Sequence, residues 1–121
     1  LEKDEIYVKG TNTPYNKPIA VLVNEDTFSS AERFVSIIKA STDCIIIGTK
    51  TKGGSGNPKE YEFYEKEQKY YIWIPTWRFF LPGKDKPLEE TKIEPDLTYD
   101  KEDIIDFAIK YIKSKNNESK V

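Results

Sequence analysis

The chain of 121 residues contains no histidine and no methionine, and it has a single cysteine, Cys44. Without histidine, a mechanism that uses imidazole as a base or a metal ligand must take that group from elsewhere. Without methionine, the sequence includes no translational start, and we expect a piece of a longer protein. Cys44 stands in an apolar, strand-like run, which predicts a small core residue and says little about redox compartment.

The sequence also has no dense basic run, no apolar run as long as a membrane span and no recognisable signal peptide. Its 19 Lys and Arg residues against 21 Asp and Glu residues give a net charge of −2. Because polyanions bind concentrated positive charge, this balance argues against a general affinity for nucleic acid or anionic membranes. The length is sufficient for one domain with its own core.

The segment from Ile19 to Glu32 combines a strand, a sharp turn and the start of a helix. Ile19–Val23 is an apolar, β-branched run of the length of a buried strand, and Asn24–Asp26 ends it. Ser29 then opens a helix, with Glu32 at capping-box spacing. A serine in this position lies beside unpaired helical N–H groups, so it is suited either to nucleophilic attack next to an oxyanion site or simply to capping the helix.

The following segments predict an α/β fold with a βαβ unit. The helix is expected to run from Ser29 to Ala40 and to turn Phe34, Ile37 and Ile38 inward. A second apolar strand follows at Cys44–Ile47. Strands joined through a helix in this way are expected to pair in parallel.

An aromatic hairpin is predicted next, from Tyr61–Tyr64 and Tyr70–Ile74 around a polar turn. We expect most of its rings to form core contacts and cross-strand pairs, with a minority lining an apolar cleft. Their number also suggests a surface that another part of the protein covers. Lys84–Lys92 reads as a polar loop, and Asp100–Lys113 as an amphipathic helix.

At the two ends, residues 1–16 predict a connector or leading strand, with Ile6–Val8 as the strand, and residues 114–121 predict a frayed tail. Between them, residues 17–113 contain the predicted strands, hairpin and helices.

Four segments, taken in order, resemble the catalytic core of the C-terminal processing peptidases, also called tail-specific proteases. These segments are NEDTFSSAE at 24–32, IIIGTKTKGGSG at 45–56, PLEETKIEPD at 87–96 and the final amphipathic helix. The resemblance implies a serine peptidase with a crotonase-like α/β fold, a module shared with the tricorn core protease and the retinol-binding-protein repeats. It implies that residues 17–113 are the carboxyl-terminal half of such a catalytic domain.

By this resemblance, Ser29 is the nucleophile, and the backbone N–H of Ser30 is one oxyanion donor. The second donor belongs to a glycine-rich turn that this sequence does not contain. The next family motif is matched by Gly48, Thr51 and Gly53, but Gly54 stands where the Ser–Lys branch has its catalytic lysine. This departure favours the tricorn-like branch, in which a histidine activates the serine.

In that branch a glutamate assists the histidine, and it falls on Glu89, with Glu90 one residue away. Lys50 or Lys52 could instead be a displaced base, although solvated loop lysines are the simpler interpretation. Gly53 and Gly54 are candidate substrate-binding residues because glycines let a substrate backbone approach closely. The alternative is simple turn flexibility.

The sequence therefore predicts a serine-type peptidase that hydrolyses polypeptides, incomplete and inactive as an isolated chain. Its expected partners are the polypeptide substrate and the amino-terminal half of the catalytic domain, with a homo-oligomer as a further expectation. No cofactor, metal or nucleic acid is implied, and the resemblance implies an extracytoplasmic location. The alternatives are a non-catalytic peptide- or ligand-binding module on the same fold and a crotonase-like enzyme acting on acyl thioesters.

Overall fold

The computed structural model describes residues 9–10, 13 and 15–118, which form a mixed α/β structure with a parallel and an antiparallel sheet. The elements are β1 (Ala20–Val23), α1 (Ser30–Ser41), β2 (Ile45–Gly48), β3 (Lys59–Glu65), β4 (Gln68–Ile74), α2 (Leu88–Thr91), β5 (Leu97–Thr98) and α3 (Ile104–Glu118). The predicted α/β class is thus confirmed, and the crotonase-like core stays a prediction. The strand predicted at Ile6–Val8 lies outside the described residues.

The parallel sheet has the order β1-β2-β5, and its central strand, β2, pairs in parallel with both neighbours. The predicted parallel pairing of the first two strands is confirmed. Because the strands are parallel, their carboxyl ends share one edge, so the turn after Val23 and the loop after Gly48 emerge side by side. A side chain at Gly48 would meet the Val23 carbonyl oxygen at 1.8 Å, so the close approach there requires glycine.

The core lies between this sheet and α1, and it also takes in Leu88 of α2. Its buried cluster consists of Val23, Val35, Ile46, Leu88 and Ile93. Cys44 is buried as well, which confirms the prediction of a small core residue.

The predicted inward face of α1 is wrong for Phe34 and Ile37, which are 58% and 56% exposed. The helix instead buries Glu32 and Val35. At about 100° per residue, positions 34 and 37 then point away from the sheet. Glu32 accepts hydrogen bonds from the loop after β2, and apolar periodicity does not reveal such bonds.

The hairpin is confirmed as antiparallel, from Lys59 opposite Ile74 to Glu65 opposite Gln68. A cross-strand ring pair, Phe63 with Tyr70, is also confirmed. The expectation of core contacts is wrong, because every residue of both strands is exposed. The hairpin forms a separate two-stranded sheet, so no described element covers either of its faces.

The predicted polar loop at Lys84–Lys92 contains the four-residue helix α2, which is too short to show a periodic pattern. Its Leu88 is buried and anchors the segment to the core. Helix α3 begins later than predicted, at Ile104, and continues past Lys113 to Glu118. Within the described ranges, no helix is long and apolar enough to cross a membrane.

Candidate active site

Ser29 occupies the N-cap of α1, at the carboxyl end of β1, with φ 55° and ψ −117°. An ordinary N-cap residue has extended backbone angles with negative φ. For a residue other than glycine, the conformation of Ser29 costs on the order of 1–3 kcal/mol, and it persists only where the surroundings impose it. Ser29 is therefore a strained serine on a sharp strand-to-helix turn, the geometry in which α/β-hydrolases hold their nucleophilic serine.

The turn that leads to Ser29 is itself held by hydrogen bonds. The Thr27 N–H donates to the Asn24 carbonyl oxygen at 3.0 Å, and the Asn24 N–H donates to the Thr27 hydroxyl oxygen at 3.0 Å. The Lys52 N–H donates to the Thr27 carbonyl oxygen, also at 3.0 Å, so the loop after β2 is attached to the same turn.

Glu32 is completely buried, and its carboxylate accepts four hydrogen bonds. Oε2 accepts from the Ser29 N–H at 3.0 Å and from the Gly54 N–H at 2.9 Å. Oε1 accepts from the Thr51 hydroxyl at 2.5 Å and from the Gly53 N–H at 2.9 Å. The predicted capping contact with Ser29 is confirmed. The sequence did not reveal that the same carboxylate fixes the loop after β2, because nothing in the spacing from 32 to 51–54 predicts a contact.

Thr51 extends this network into the core. Its hydroxyl oxygen accepts the Ile93 N–H at 2.9 Å while the hydroxyl donates to Glu32. The Thr51 N–H donates to the Ile93 carbonyl oxygen at 3.1 Å. Since all these groups are buried, the network rigidly joins the start of α1, the loop after β2 and the segment before β5.

Gly53 and Gly54, the candidate substrate-binding residues, both have their N–H groups bonded to Glu32. A Cβ atom at Gly54 would lie 1.9 Å from Cε2 of Phe28. A lysine cannot occupy this position without displacing the Phe28 ring, which explains the departure from the Ser–Lys pattern. A substrate-binding role for the two glycines stays a prediction.

A cavity of about 510 Å³ opens beside Ser29. It is lined by Ser29, Ser30, Arg33, Ser55, Gly56, Asn57, Pro58, Trp77, Phe79 and Leu88. Ser30 is the first residue of α1, and N–H groups in the first turn of a helix have no intrahelical acceptor. Both Ser29 and Ser30 therefore line the same cavity.

Glu89 is hydrogen-bonded to Ser55, one of the residues that line this cavity. Its Oε1 accepts from the Ser55 N–H at 2.9 Å and from the Ser55 hydroxyl at 2.6 Å. Partial burial by itself raises the pKa of Glu89, but the Ser55 hydrogen bonds and the nearby Arg78 charge outweigh it, and the pKa lies below its ordinary value. Glu90 instead forms a surface ion pair with Lys86, so of the two glutamates Glu89 is the one connected to the cavity.

The two lysines of the loop after β2, Lys50 and Lys52, lie away from the cavity beside Ser29. Lys50 forms an ion pair with Glu94, and the Lys52 ammonium lies 5.7 Å from the centre of the Phe28 ring. Neither residue lines the cavity beside Ser29. Asp96 accepts the Ile46 N–H at 2.8 Å and the Lys39 ammonium at 2.6 Å, so it joins the segment before β5 to β2 and to α1.

Comparison with known proteins places these features in a family. Residues 2–99 match the model of peptidase family S41. An uncharacterized protein of Chlamydia muridarum (strain MoPn / Nigg) and a protein of Chlamydia trachomatis serovar D are each 45% identical over 42 residues, which is 35% of this chain. The chain spans 7% of the length of either relative.

Two solved structures share the fold. The crystal structure of mature CPAF matches with a TM-score of 0.64 and 26% identity, covering 74% of this chain and 17% of that chain. Mature CPAF complexed with lactacystin matches with a TM-score of 0.66 and 24% identity, covering 87% of this chain and 20% of that chain. Because the family model matches far more than half of its residues, the chain belongs to peptidase family S41.

Proposed function

We propose that this chain supplies the nucleophile-bearing half of a serine peptidase active site, with Ser29 as the nucleophile. The observation that carries the proposal is the strained backbone of Ser29, held by the buried Glu32 carboxylate. A serine that only caps a helix has no need of positive φ, because the common extended conformation already serves capping. Strain that is imposed by a buried network is characteristic of functional sites.

In the proposed reaction, the Ser29 hydroxyl attacks the scissile carbonyl of a polypeptide held in the adjacent cavity. The Ser30 N–H, at the positive end of α1, donates a hydrogen bond to the developing oxyanion. The hydroxyl proton passes to a general base, which gives it to the leaving amine as the tetrahedral intermediate collapses and the scissile C–N bond breaks. The acyl-enzyme that remains is then hydrolysed by water. The second oxyanion donor comes from outside this chain.

The base is proposed to be a histidine of the remainder of the catalytic domain. The chain contains none, and Phe28 occupies the space that a side chain at Gly54 would need. Glu89 is proposed as the accessory carboxylate behind that histidine. Its lowered pKa keeps it ionised at neutral pH, as stabilisation of an imidazolium requires.

This assignment corresponds to the tricorn-like branch of the C-terminal processing peptidases and to a crotonase-like fold, and both are part of the proposal. An extracytoplasmic location is proposed on the same resemblance alone, and a homo-oligomeric state is a further proposal. The absence of histidine from this chain also supports a second candidate, a peptide-binding module without catalysis.

Hydrolysis of unfolded casein by the full-length protein that contains this chain tests the proposal. We expect turnover by the full-length protein, loss of at least about a thousandfold with Ser29→Ala, and none by the isolated chain. A folded full-length protein whose casein turnover is unchanged by Ser29→Ala would contradict the assignment. Ser29-dependent turnover by the isolated chain would show that the base lies within it.

A further inference from the structure

Arg33 is the charged residue of the cavity beside Ser29. Of the described residues that line this cavity, it alone carries a charge at neutral pH. It follows Ser29 by one turn of α1, because the Arg33 N–H donates to the Ser29 carbonyl oxygen at 3.1 Å. Residues four positions apart are neighbours on the surface of a helix, so Arg33 lies on the side of α1 at which Ser29 stands.

The guanidinium of Arg33 lies against the wall of this cavity. Its central carbon is 5.3 Å from the centre of the Trp77 ring, and Trp77 also lines the cavity. In a helix the Cα–Cβ bond tilts toward the amino-terminal end, so a long side chain at position 33 covers the turn that follows Ser29. The attraction between the cation and the ring restrains the guanidinium, and its N–H groups remain available as donors.

The positive charge of Arg33 has no carboxylate partner among the described residues. The ion pairs within that part of the chain are all formed by lysines. Glu89, which is close enough to bond a cavity residue, accepts from Ser55 instead. An exposed guanidinium can bind a carboxylate through two parallel hydrogen bonds, so Arg33 gives the cavity a site for an anionic group of this shape.

We propose that Arg33 is a specificity-determining residue that binds a carboxylate of the polypeptide substrate within about two residues of the scissile bond. This inference rests on the proposed peptidase function and specifies its substrate. The cavity must admit the substrate for Ser29 to reach a scissile carbonyl, so the proposed function itself selects substrate as the occupant. The position follows from the rise of about 1.5 Å per helical residue and about 3.3 Å per extended residue, because the four residues from Ser29 to Arg33 span the length of two extended ones.

The carboxylate can belong to an Asp or Glu side chain or to the free end of the polypeptide. Both present two oxygens and one negative charge to the guanidinium. A Gln side chain has nearly the same shape but no charge, and a Lys side chain is repelled. Because a charge-assisted hydrogen bond is about twice as strong as a neutral one, the site should favour Glu over Gln and Gln over Lys.

The test uses the full-length protein and pools of peptides about ten residues long, blocked at both ends and randomised except for one central position. That position holds Glu, Gln or Lys, and a further Gln pool has a free carboxyl end. Mass spectrometry gives the rate of cleavage within two residues of the fixed position or of the free end. We expect Glu to be cleaved at least about fivefold faster than Gln, and Lys slowest.

Arg33→Gln should bring the ratio of Glu to Gln cleavage close to one, and Arg33→Glu should make Lys the favoured residue. Arg33→Lys, which keeps the charge but not the planar fork, should retain part of the preference for Glu. The control is Lys52→Gln, which removes a positive charge near Ser29 but outside the cavity and should leave the ratio unchanged.

A preference that depends on Arg33 supports the proposal, for the Glu pool with a side chain as the source and for the free-end pool with the chain end. A ratio of Glu to Gln that Arg33→Gln leaves unchanged, with no effect on the free-end pool, would overturn it. An equal loss of cleavage in all pools would also overturn it, because Arg33 would then pair with a carboxylate in the remainder of the protein.

Peptide binding separates this proposal from the proposed function. Fluorescein-labelled Glu and Gln pools are compared by fluorescence anisotropy on the full-length protein with Ser29→Ala. If a fluorophosphonate does not label Ser29 but the Glu pool still binds more tightly through Arg33, the peptidase assignment fails and the carboxylate site stands. If casein turnover depends on Ser29 and no pool depends selectively on Arg33, the peptidase assignment stands and the carboxylate site fails.

Discussion

The backbone N–H of Ser29 donates to the buried carboxylate of Glu32 at 3.0 Å, and the same oxygen of Glu32 accepts the Gly54 N–H at 2.9 Å. One carboxylate thus fixes both the strained serine and the loop beside it. The position of Ser29 and that of the loop after β2, which continues into the cavity wall at Ser55, are consequently not independent of each other.

Glu32→Gln should test this coupling. The glutamine amide would replace one acceptor oxygen with a donor, which would face N–H or hydroxyl donors inside the protein. Because unsatisfied buried donors are costly, we expect the free energy of unfolding to fall by about 2–4 kcal/mol. Urea denaturation of the isolated chain measures this change. The matched control is Glu90→Gln at an exposed ion pair, which should change stability by less than about 0.5 kcal/mol. Equal effects of the two substitutions would contradict the account.

Gly54→Ala should destabilise the chain through the Phe28 ring. The added methyl group would lie 1.9 Å from Cε2 of Phe28, so the ring must move. We expect a loss of about 1–3 kcal/mol, partly recovered when Phe28→Leu is added. Thermal unfolding of the four proteins of this double-mutant cycle gives the coupling. Gly10→Ala serves as the control, because nothing lies within 4 Å of a Cβ atom there.

Ser55→Ala should raise the pKa of Glu89 toward its ordinary value. The substitution removes the hydroxyl that donates to Glu89 at 2.6 Å but keeps the backbone N–H. Titration of the Glu89 side-chain carboxyl carbon by NMR measures the shift. In the full-length protein we expect the acid limb of kcat/KM to move to higher pH, because Glu89 then binds its proton more readily. Ser36→Ala on α1 is the control, and an unchanged Glu89 titration in Ser55→Ala would contradict the geometry.

Asp96 should contribute to stability against acid. Burial by itself raises its pKa, but the Lys39 ammonium and the Ile46 N–H outweigh burial and lower the pKa below the ordinary value of 3.8. The unfolded chain therefore takes up this proton at higher pH than the folded chain. The contribution is complete above about pH 5 and is lost as the pH falls through the folded-state pKa.

Asp96→Asn should consequently lower stability at pH 7 and flatten the loss of stability between about pH 5 and pH 3. Urea denaturation across this range measures both effects. Asp85→Asn, at an exposed loop position, is the control and should leave the curve unchanged. An Asp96→Asn variant with the same acid profile as the unmodified chain would exclude this role.

Much of the fold follows from local sequence. The apolar runs before Asn24 and Gly48 form the two predicted parallel strands, and the aromatic alternation around residues 65–68 forms the predicted hairpin. These elements are specified by neighbouring residues, so their type can be derived from periodicity. Helix α2 was not predicted because its four residues are held by burial of Leu88, a tertiary contact.

The sequence predicts a turn at Ser29 before α1, but it does not predict the hydrogen bonds that hold this turn. The order of Thr27, Ser29 and Glu32 identifies the turn, yet neither the positive φ of Ser29 nor the four bonds to Glu32 follows from spacing. Both depend on residues 51–54, which come close to Glu32 only in the folded chain. Apolar periodicity also misplaced Phe34 and Ile37, since the buried face of α1 carries the Glu32 carboxylate together with Val35.

The central claim is that Ser29 is a nucleophile, and covalent labelling tests it most directly. The full-length protein is treated with a fluorophosphonate probe, and the labelled peptide is identified by mass spectrometry. We expect the phosphonyl group on Ser29, no labelling of Ser29→Ala, and retained labelling of Ser30→Ala, which keeps the backbone N–H. A correctly folded full-length protein that remains unlabelled, or that is labelled on Ser30, would contradict the account.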